Sequence, residues 1–284
     1  LNIPKFLLPF PTGQFIKKFN PKTALKLAYN YQSRPDYTRT VANASFGYVW
    51  KGNPFLTHII NPVEVNLVKI PYKSQDFIDW LEGRYIFYSY QPHLVAVSNY
   101  SMIFTNQNLK KSQDFVYLKI NAESAGNMLY SAYYIGGAGK EDGIYKLFNT
   151  DFAQYVRGDI DFRHYNIINQ YNSLVFRIFA GAGLPYSNST ALPFEKKYFS
   201  GGANSIRAWQ VRDLGPGSYK ELTEGTYNNQ TADVKLEANL EYRFKLFWLL
   251  EGALFMDAGN IWAINKNDDR EGALFMVDKF YKDI

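Results

Sequence analysis

The stretch that most constrains this chain is "DVKLEANLEYRF", residues 233–244. Asp233, Lys235, Glu237, Asn239, Glu241 and Arg243 take the odd positions; Val234, Leu236, Ala238, Leu240, Tyr242 and Phe244 take the even ones. A β-strand is the regular structure that sends alternate side chains to opposite faces, so it alone separates these two sets. The unbroken length also matters. Strands of soluble proteins run about 5–6 residues, whereas a tilted strand that crosses a bilayer needs about 9–11.

The period recurs along the chain. In 151–165, Asp151, Arg157, Asp159, Asp161 and Arg163 share one face, with Phe152, Val156, Ile160 and Phe162 on the other. In 172–184, Leu174, Phe176, Ile178, Ala180 and Ala182 line one side and Arg177 lies opposite. Lys119, Asn121 and Glu123 oppose Val116, Leu118, Ile120 and Ala122, and Leu25, Leu27, Tyr29 and Tyr31 oppose Lys26, Ala28 and Asn30. The spacing predicts about nine strands: 22–34, 39–51, 62–71, 84–90 continuing into 94–106, 114–130, 150–165, 171–184, 232–247 and 249–262. No helix is expected. Mixed charge on one face and Leu, Ile, Phe and Tyr on the other suit a hydrated lumen and a lipid surface. The expected fold is all-β, an antiparallel transmembrane β-barrel; a soluble β-sandwich or barrel also alternates, with shorter strands.

Composition supports this class. Aromatic residues make up 18% of the chain, yet mean hydropathy is only -0.30, and no apolar run approaches the roughly 20 residues of a membrane helix. The net charge of +5 is dispersed, without the basic block of a nucleic-acid arm, so no nucleic-acid partner is expected. Cysteine is absent, which removes disulfides, thiolate metal sites and cysteine nucleophiles. The opening "LNIPKFLLPFPTG" lacks the regions of a signal peptide, and the expectation is that the natural N-terminus lies elsewhere.

Catalytic signals are thin. His58, His93 and His164 lie apart without metal-ligand spacing, so no metal site is expected. Gly136, Gly137 and Gly139 lack the Lys-Ser/Thr ending of a phosphate loop and read as a tight strand-to-strand connection. No serine sits in a G-x-S-x-G elbow. The hexapeptide "EGALFM" occurs at 251–256 and 271–276, too few copies for a repeat architecture. The expectation is therefore no enzyme, no catalytic residue and no cofactor.

The anomaly is the connection 185–230. Loops beyond about 12–15 residues without regular structure are usually functional or disordered. This one carries Ile206, Trp209, Val211, Leu214 and Tyr219, which favour burial. Arg207 between Ile206 and Ala208 would need carboxylate partners in an enclosed space; the period-two count puts Glu241 and Asp257 on polar strand faces.

These residues resemble the barrel domain of the BamA/TamA superfamily of outer-membrane assembly factors (the bacterial surface antigen family), closest to the Bacteroidetes TamL type. "SIRAW" (205–209) stands where the superfamily has Val-Arg-Gly-Phe/Tyr, "LEYRF" (240–244) resembles its acidic strand, and "LFMDAGNIW" (254–262) its Phe-x-Asp-x-Gly-x-Val/Ile-Trp strand. "YNYQSRPDYTR" (29–39) and "DKFYKDI" (278–284) resemble TamL segments. The resemblance implies that 1–284 is a partial barrel domain, about nine strands of a sixteen-strand barrel, with periplasmic modules and last strands absent. It implies that the long loop folds into the lumen, with Ser205, Ile206, Arg207, Ala208 and Trp209 as its motif and Glu241 and Asp257 as anchoring wall residues. Ala208 departs from the motif glycine, and a left-handed backbone there would strain alanine. The implied location is the Gram-negative outer membrane. The implied partners are nascent outer-membrane proteins, outer-membrane lipid and an inner-membrane-anchored TamB-like companion. A passive porin-like barrel and the barrel of a patatin-like lipase remain alternatives.

Overall fold

The computed structural model describes residues 1–8, 19–141, 143–147, 149–220 and 230–284. Positions 9–13 of the N-terminal stretch and 221–229 of the long connection lie outside the described residues. The strands are β1 (Asn2–Ile3), β2 (Lys22–Ser33), β3 (Tyr37–Asn53), β4 (Leu56–Lys73), β5 (His93–Thr105) and β6 (Phe115–Ala125). After them come β7 (Lys146–Leu147), β8 (Thr150–Asp151), β9 (Tyr155–Asn169), β10 (Asn172–Pro185), β11 (Val234–Phe247) and β12 (Leu250–Trp262). β7 and β8 pair with each other; the rest form one ladder in chain order from β1 to β12. Among the described residues, β2 to β6 and β9 to β12 are the long strands, from 11 to 18 residues each.

The chain divides into two compact units. The first comprises Leu1–Ser101, Asn121–Arg157 and Gly183–Lys196. In it, β2, β3 and β4 pair antiparallel with Leu27 opposite Ala44 opposite Val65, and Tyr29 opposite Ala42 opposite Leu67. Leu27 is 89% exposed, and Tyr29 and Tyr31 are exposed with it. The opposite face holds Asn43, Glu64 and Asn66 in a hydrogen-bonded group. Val95, Val97, Ala125, Ala153, Tyr155 and Leu192 form a buried cluster.

Two helices in this unit correct the all-strand reading. Helix α1 (Gln75–Leu81) is capped by Ser74, whose Oγ accepts from the Phe77 backbone N–H at 3.2 Å. Its Phe77 packs between Tyr37 and Tyr90. Helix α2 (Asn127–Ile135) replaces the end of the predicted 114–130 strand. Both are too short to show a helical period, and packing, not propensity, holds them. Leu129, Tyr130 and Tyr133 of α2 pack on buried Leu94, Tyr145 and Phe152, so Phe152 belongs to this cluster and not with exposed Val156 and Ile160. Gly126 starts α2 at φ 71, where a Cβ would lie 2.3 Å from the Ala153 carbonyl. Gly136 ends it; the glycine group therefore closes a helix and does not turn between strands. Residues 85–90 form a 3-10 turn, not strand.

The second unit comprises Met102–Ile120, Gly158–Ala182 and Lys197–Ile284. Here the register aligns Arg177, Asn239 and Asp257 in one row across β10, β11 and β12. The adjacent rows are Val175, Glu241, Phe255 and Phe179, Glu237, Gly259. Burial is inverted relative to a water-soluble sheet. Leu254 and Met256 are 66% and 68% exposed, whereas Glu237 is 3% exposed and Lys235 is buried. An apolar outer face with polar residues turned inward is the arrangement that lipid contact requires. No helix among the described residues is long and apolar enough to cross a membrane.

Candidate loop-anchoring site

The loop that follows β10 turns back on itself between Ser200 and Arg212. The Arg212 backbone N–H donates to Ser200 O at 2.9 Å, and Gly202 N–H to Trp209 O at 2.8 Å. Two further turns, Ser205 N–H to Gly202 O and Trp209 N–H to Ile206 O, place Arg207 near the tip. Gly201 makes the approach possible: its φ is 93, and a Cβ there would sit 1.9 Å from Gln210 O. The left-handed conformation alone costs a non-glycine roughly 1–2 kcal/mol. Gly201→Ala is therefore expected to lower unfolding stability by at least roughly 2 kcal/mol and to speed proteolysis within 200–212. Denaturant titration of the lipid-embedded protein checks the first expectation and timed digestion the second.

The structure brings Arg207, Asp257 and Glu241 together. Arg207 Nε and Nη2 donate to the two Asp257 carboxylate oxygens at 2.8 and 2.7 Å, the two-point geometry specific to guanidinium. The Arg207 backbone N–H donates to Asp257 Oδ2 at 3.0 Å, and Nη1 donates to Glu241 Oε2. Beneath the guanidinium lies the Phe255 ring, 3.8 Å from carbon to centroid. The hydrogen bonds that Arg207 donates to Asp257, with the one to Glu241, push its pKa further above the ordinary value, keeping the side chain charged.

Ser205 is held one step deeper. Its hydroxyl donates to Glu237 Oε2 at 3.1 Å and accepts from Lys235 Nζ at 3.1 Å, and its carbonyl accepts from Asn239 Nδ2 at 3.0 Å. Asn239 also donates to Asp257 at 2.9 Å. Arg177 donates to Asn204 O at 3.0 Å and to Asp161, which also receives Arg163. Sequence reasoning assigned neither Ser205's partners nor Asn239, Arg177 and Phe255 to the anchor. The period-two count did place Lys235, Glu237 and Asn239 on the face of Glu241, so the signal was present.

The remaining motif residues behave differently. Ile206 is buried, but Ala208 and Trp209 are exposed, and Val211 is exposed too, contrary to the burial expected of Trp209 and Val211. Polar anchoring of Ser205 and Arg207, not apolar packing, seats the tip. Among the described residues, the non-glycines at positive φ are Asn20, Asn149, Ser187, Arg212 and Trp248. Ala208 is not one of them, so Gly201, Gly202 and Arg212 carry the left-handed turns and alanine fits.

The loop is also tied further along. Asn260 Nδ2 donates to Gly217 O at 2.9 Å and to Asp283 O at 2.6 Å, and Trp262 Nε1 donates to Asp283 Oδ2 at 3.0 Å. In the first unit, the beginning of the same connection is held by Glu195 and Lys196. Glu195 Oε1 pairs with His93 Nε2 at 2.8 Å, and Lys196 Nζ donates to Glu123 at 3.0 Å. Burial pushes the Glu195 pKa up, but the His93 hydrogen bond and charge outweigh it and leave it below the usual range. His93, read from sequence as isolated, thus has both ring nitrogens engaged, the other by Gln91 O at 2.6 Å. Among the described residues, no group of His, Cys, Asp or Glu is arranged to hold a metal ion.

These features set the chain beside known proteins. Residues 14–275 match the Omp85 superfamily domain. A search of curated proteins finds no match. Among solved structures, the crystal structure of BamA from Haemophilus ducreyi lacking POTRA domains 1–3 superposes with a TM-score of 0.60 at 12% identity. The match covers 93% of this chain and 48% of that one, so the chain spans about half the length of this relative. At that identity the likeness shows a shared fold, the antiparallel sheet of the BamA barrel, while the domain match over most of the sequence shows the family. The chain belongs to the Omp85 superfamily.

Proposed function

We propose that the chain is the barrel part of an outer-membrane assembly or translocation factor of the TamL type, in the outer membrane of a Gram-negative bacterium. It works on nascent outer-membrane proteins, surrounded by outer-membrane lipid, with an inner-membrane-anchored TamB-like companion. It guides protein substrates without catalysis or cofactor. In this reading the loop lies in the lumen, and Ser205 to Trp209 are its motif, fastened to the wall by Glu241 and Asp257.

Family membership supports the class. The observation that carries the mechanism is the fastening of Ser205 and Arg207 to two adjacent strands, β11 and β12, by charge-assisted hydrogen bonds, with Arg177 of β10 donating to Asn204 O beside them. A loop tip coupled so closely to its wall can sense or set the arrangement of β10 to β12, as a working barrel needs.

Depletion of the full-length protein in its own organism tests this. Outer-membrane protein levels are expected to fall, with rescue by the wild type and not by Arg207→Glu. Unchanged protein levels with reduced solute uptake would identify a passive pore. Altered lipid composition alone would identify the barrel of a lipase.

A further inference from the structure

The connection between β11 and β12 breaks the rule for its own geometry. Trp248 and Leu249 form a two-residue turn, with Phe247 paired to Leu250. The favoured turns of such hairpins place positive φ on Asn, Asp or Gly. Trp248 nevertheless adopts φ 51, a conformation that penalises a bulky side chain. Its side chain is 80% exposed, and Leu246, Phe247, Leu249 and Leu250 are exposed beside it. Intramolecular packing does not explain the choice, and local strain retained without an internal gain points to function.

The neighbouring two-residue turn is a contrast, since neither Gln170 nor Tyr171 adopts positive φ. Between β9 and β10 the chain reads Asn169-Gln170-Tyr171-Asn172, and Asn169 Oδ1 accepts from the Tyr171 and Asn172 backbone N–H groups. The two turns lie side by side, since Lys245 N–H donates to Tyr171 O at 2.9 Å. One tip therefore carries Asn169 and Gln170 and a side-chain cap beside exposed Tyr171, and its neighbour is apolar from Leu246 to Leu250.

We propose that the Leu246–Leu250 tip is a membrane anchor, inserted at the boundary between lipid headgroups and acyl chains. The tip continues an apolar surface that already exists on its own strands: Tyr242 leads into it along β11, and Met256 and Leu254 lead into it along β12. The nearest charges, Lys245 and Glu251, face each other one row behind the tip. An amphipathic indole beyond the last charged row suits the interfacial zone, where Trp is favoured. The hairpin therefore reaches sideways into the leaflet, while the β9–β10 turn stays in water. The proposal rests on the membrane-spanning reading of β11 and β12.

The absence of native cysteine makes site-specific labelling direct. Leu249→Cys, Gln170→Cys and Met256→Cys are each labelled with the environment-sensitive dye NBD in the full-length protein in lipid nanodiscs. Quenching is then read with doxyl-labelled phospholipid and with aqueous iodide. The label at 249 is expected to be quenched by doxyl lipid as the 256 label is, and by iodide several-fold less than the 170 label. Iodide quenching at 249 equal to that at 170 would put the tip in water and overturn the anchor. Protection of 249 from both quenchers would mean that protein covers the tip, and also overturns it. If the 256 label escapes doxyl quenching, the membrane face itself is wrong and the anchor falls with it. A second variant, Trp248→Gly with Leu249→Asn, puts glycine at the one turn position with positive φ and keeps the hairpin. It is expected to raise the fraction extracted from membranes by urea, and unchanged extraction counts against the anchor.

Discussion

Arg207→Glu is expected to free the loop tip from β11 and β12 and to abolish function of the full-length protein while leaving the strands inserted. The reasoning is electrostatic. Asp257 is nearly enclosed, with 4% of its side chain exposed, and Arg207 supplies two side-chain donors and a backbone donor to it. A glutamate at 207 would face Asp257 and Glu241 with like charge, and would leave Phe255 without its cation. Removing one partner of a buried pair costs about 3–5 kcal/mol; the Arg207 side chain keeps 19% exposure, so a loss of roughly 3 kcal/mol, the low end, is expected. Asp257→Arg in the same chain should restore only part of this. Asp257 also accepts from the Arg207 backbone and from Asn239, and arginine cannot accept either bond. A double-mutant cycle on unfolding free energy, read beside outer-membrane protein assembly, gives the result. Additive losses, with no coupling between positions 207 and 257, would refute the anchor.

The strand faces were legible because period-two separation needs only local sequence. The odd positions from Lys235 to Glu241 are those that meet the loop. Arg207 was legible as a charge in need of partners. Which carboxylates it meets depends on the register of β11 against β12, a non-local quantity that the sequence expresses only through resemblance. The short helices escaped because α1 and α2 are fixed by tertiary packing, of Phe77 against Tyr37 and of Tyr133 against Phe152. The strain at Trp248 escaped for another reason: the turn sequence contradicts the backbone conformation it adopts. Glu237 carries a related lesson. Parity alone makes it look like a permissive polar-face position, yet it is buried between Lys235, Ser205 and Arg177. Substitution there would disrupt the anchor and could not serve as a control for membrane facing.

Ala253 and Leu254 supply the better control, being consecutive residues of β12 on opposite faces. Leu254→Lys is expected to cost about 2–4 kcal/mol of folding free energy in a bilayer, the usual cost of a cation on the lipid face near midplane. Leu254 is 66% exposed and pairs with Tyr242, also exposed, so lysine there has lipid on every side. Ala253→Lys places the same group on the polar face opposite Arg243, whose guanidinium is already engaged by Glu241. Half of the Arg243 side chain is exposed, so the added repulsion is screened and less than about 1 kcal/mol is expected. Urea titration of both variants in vesicles measures the difference. In detergent-free water-soluble conditions a soluble sheet would show the opposite preference, since a cation on an exposed leucine position costs little there. Equal losses at 253 and 254 would therefore remove the assignment of lipid to the apolar face, and with it the physical reason why a chain of this sequence buries Glu237 and leaves Met256 bare.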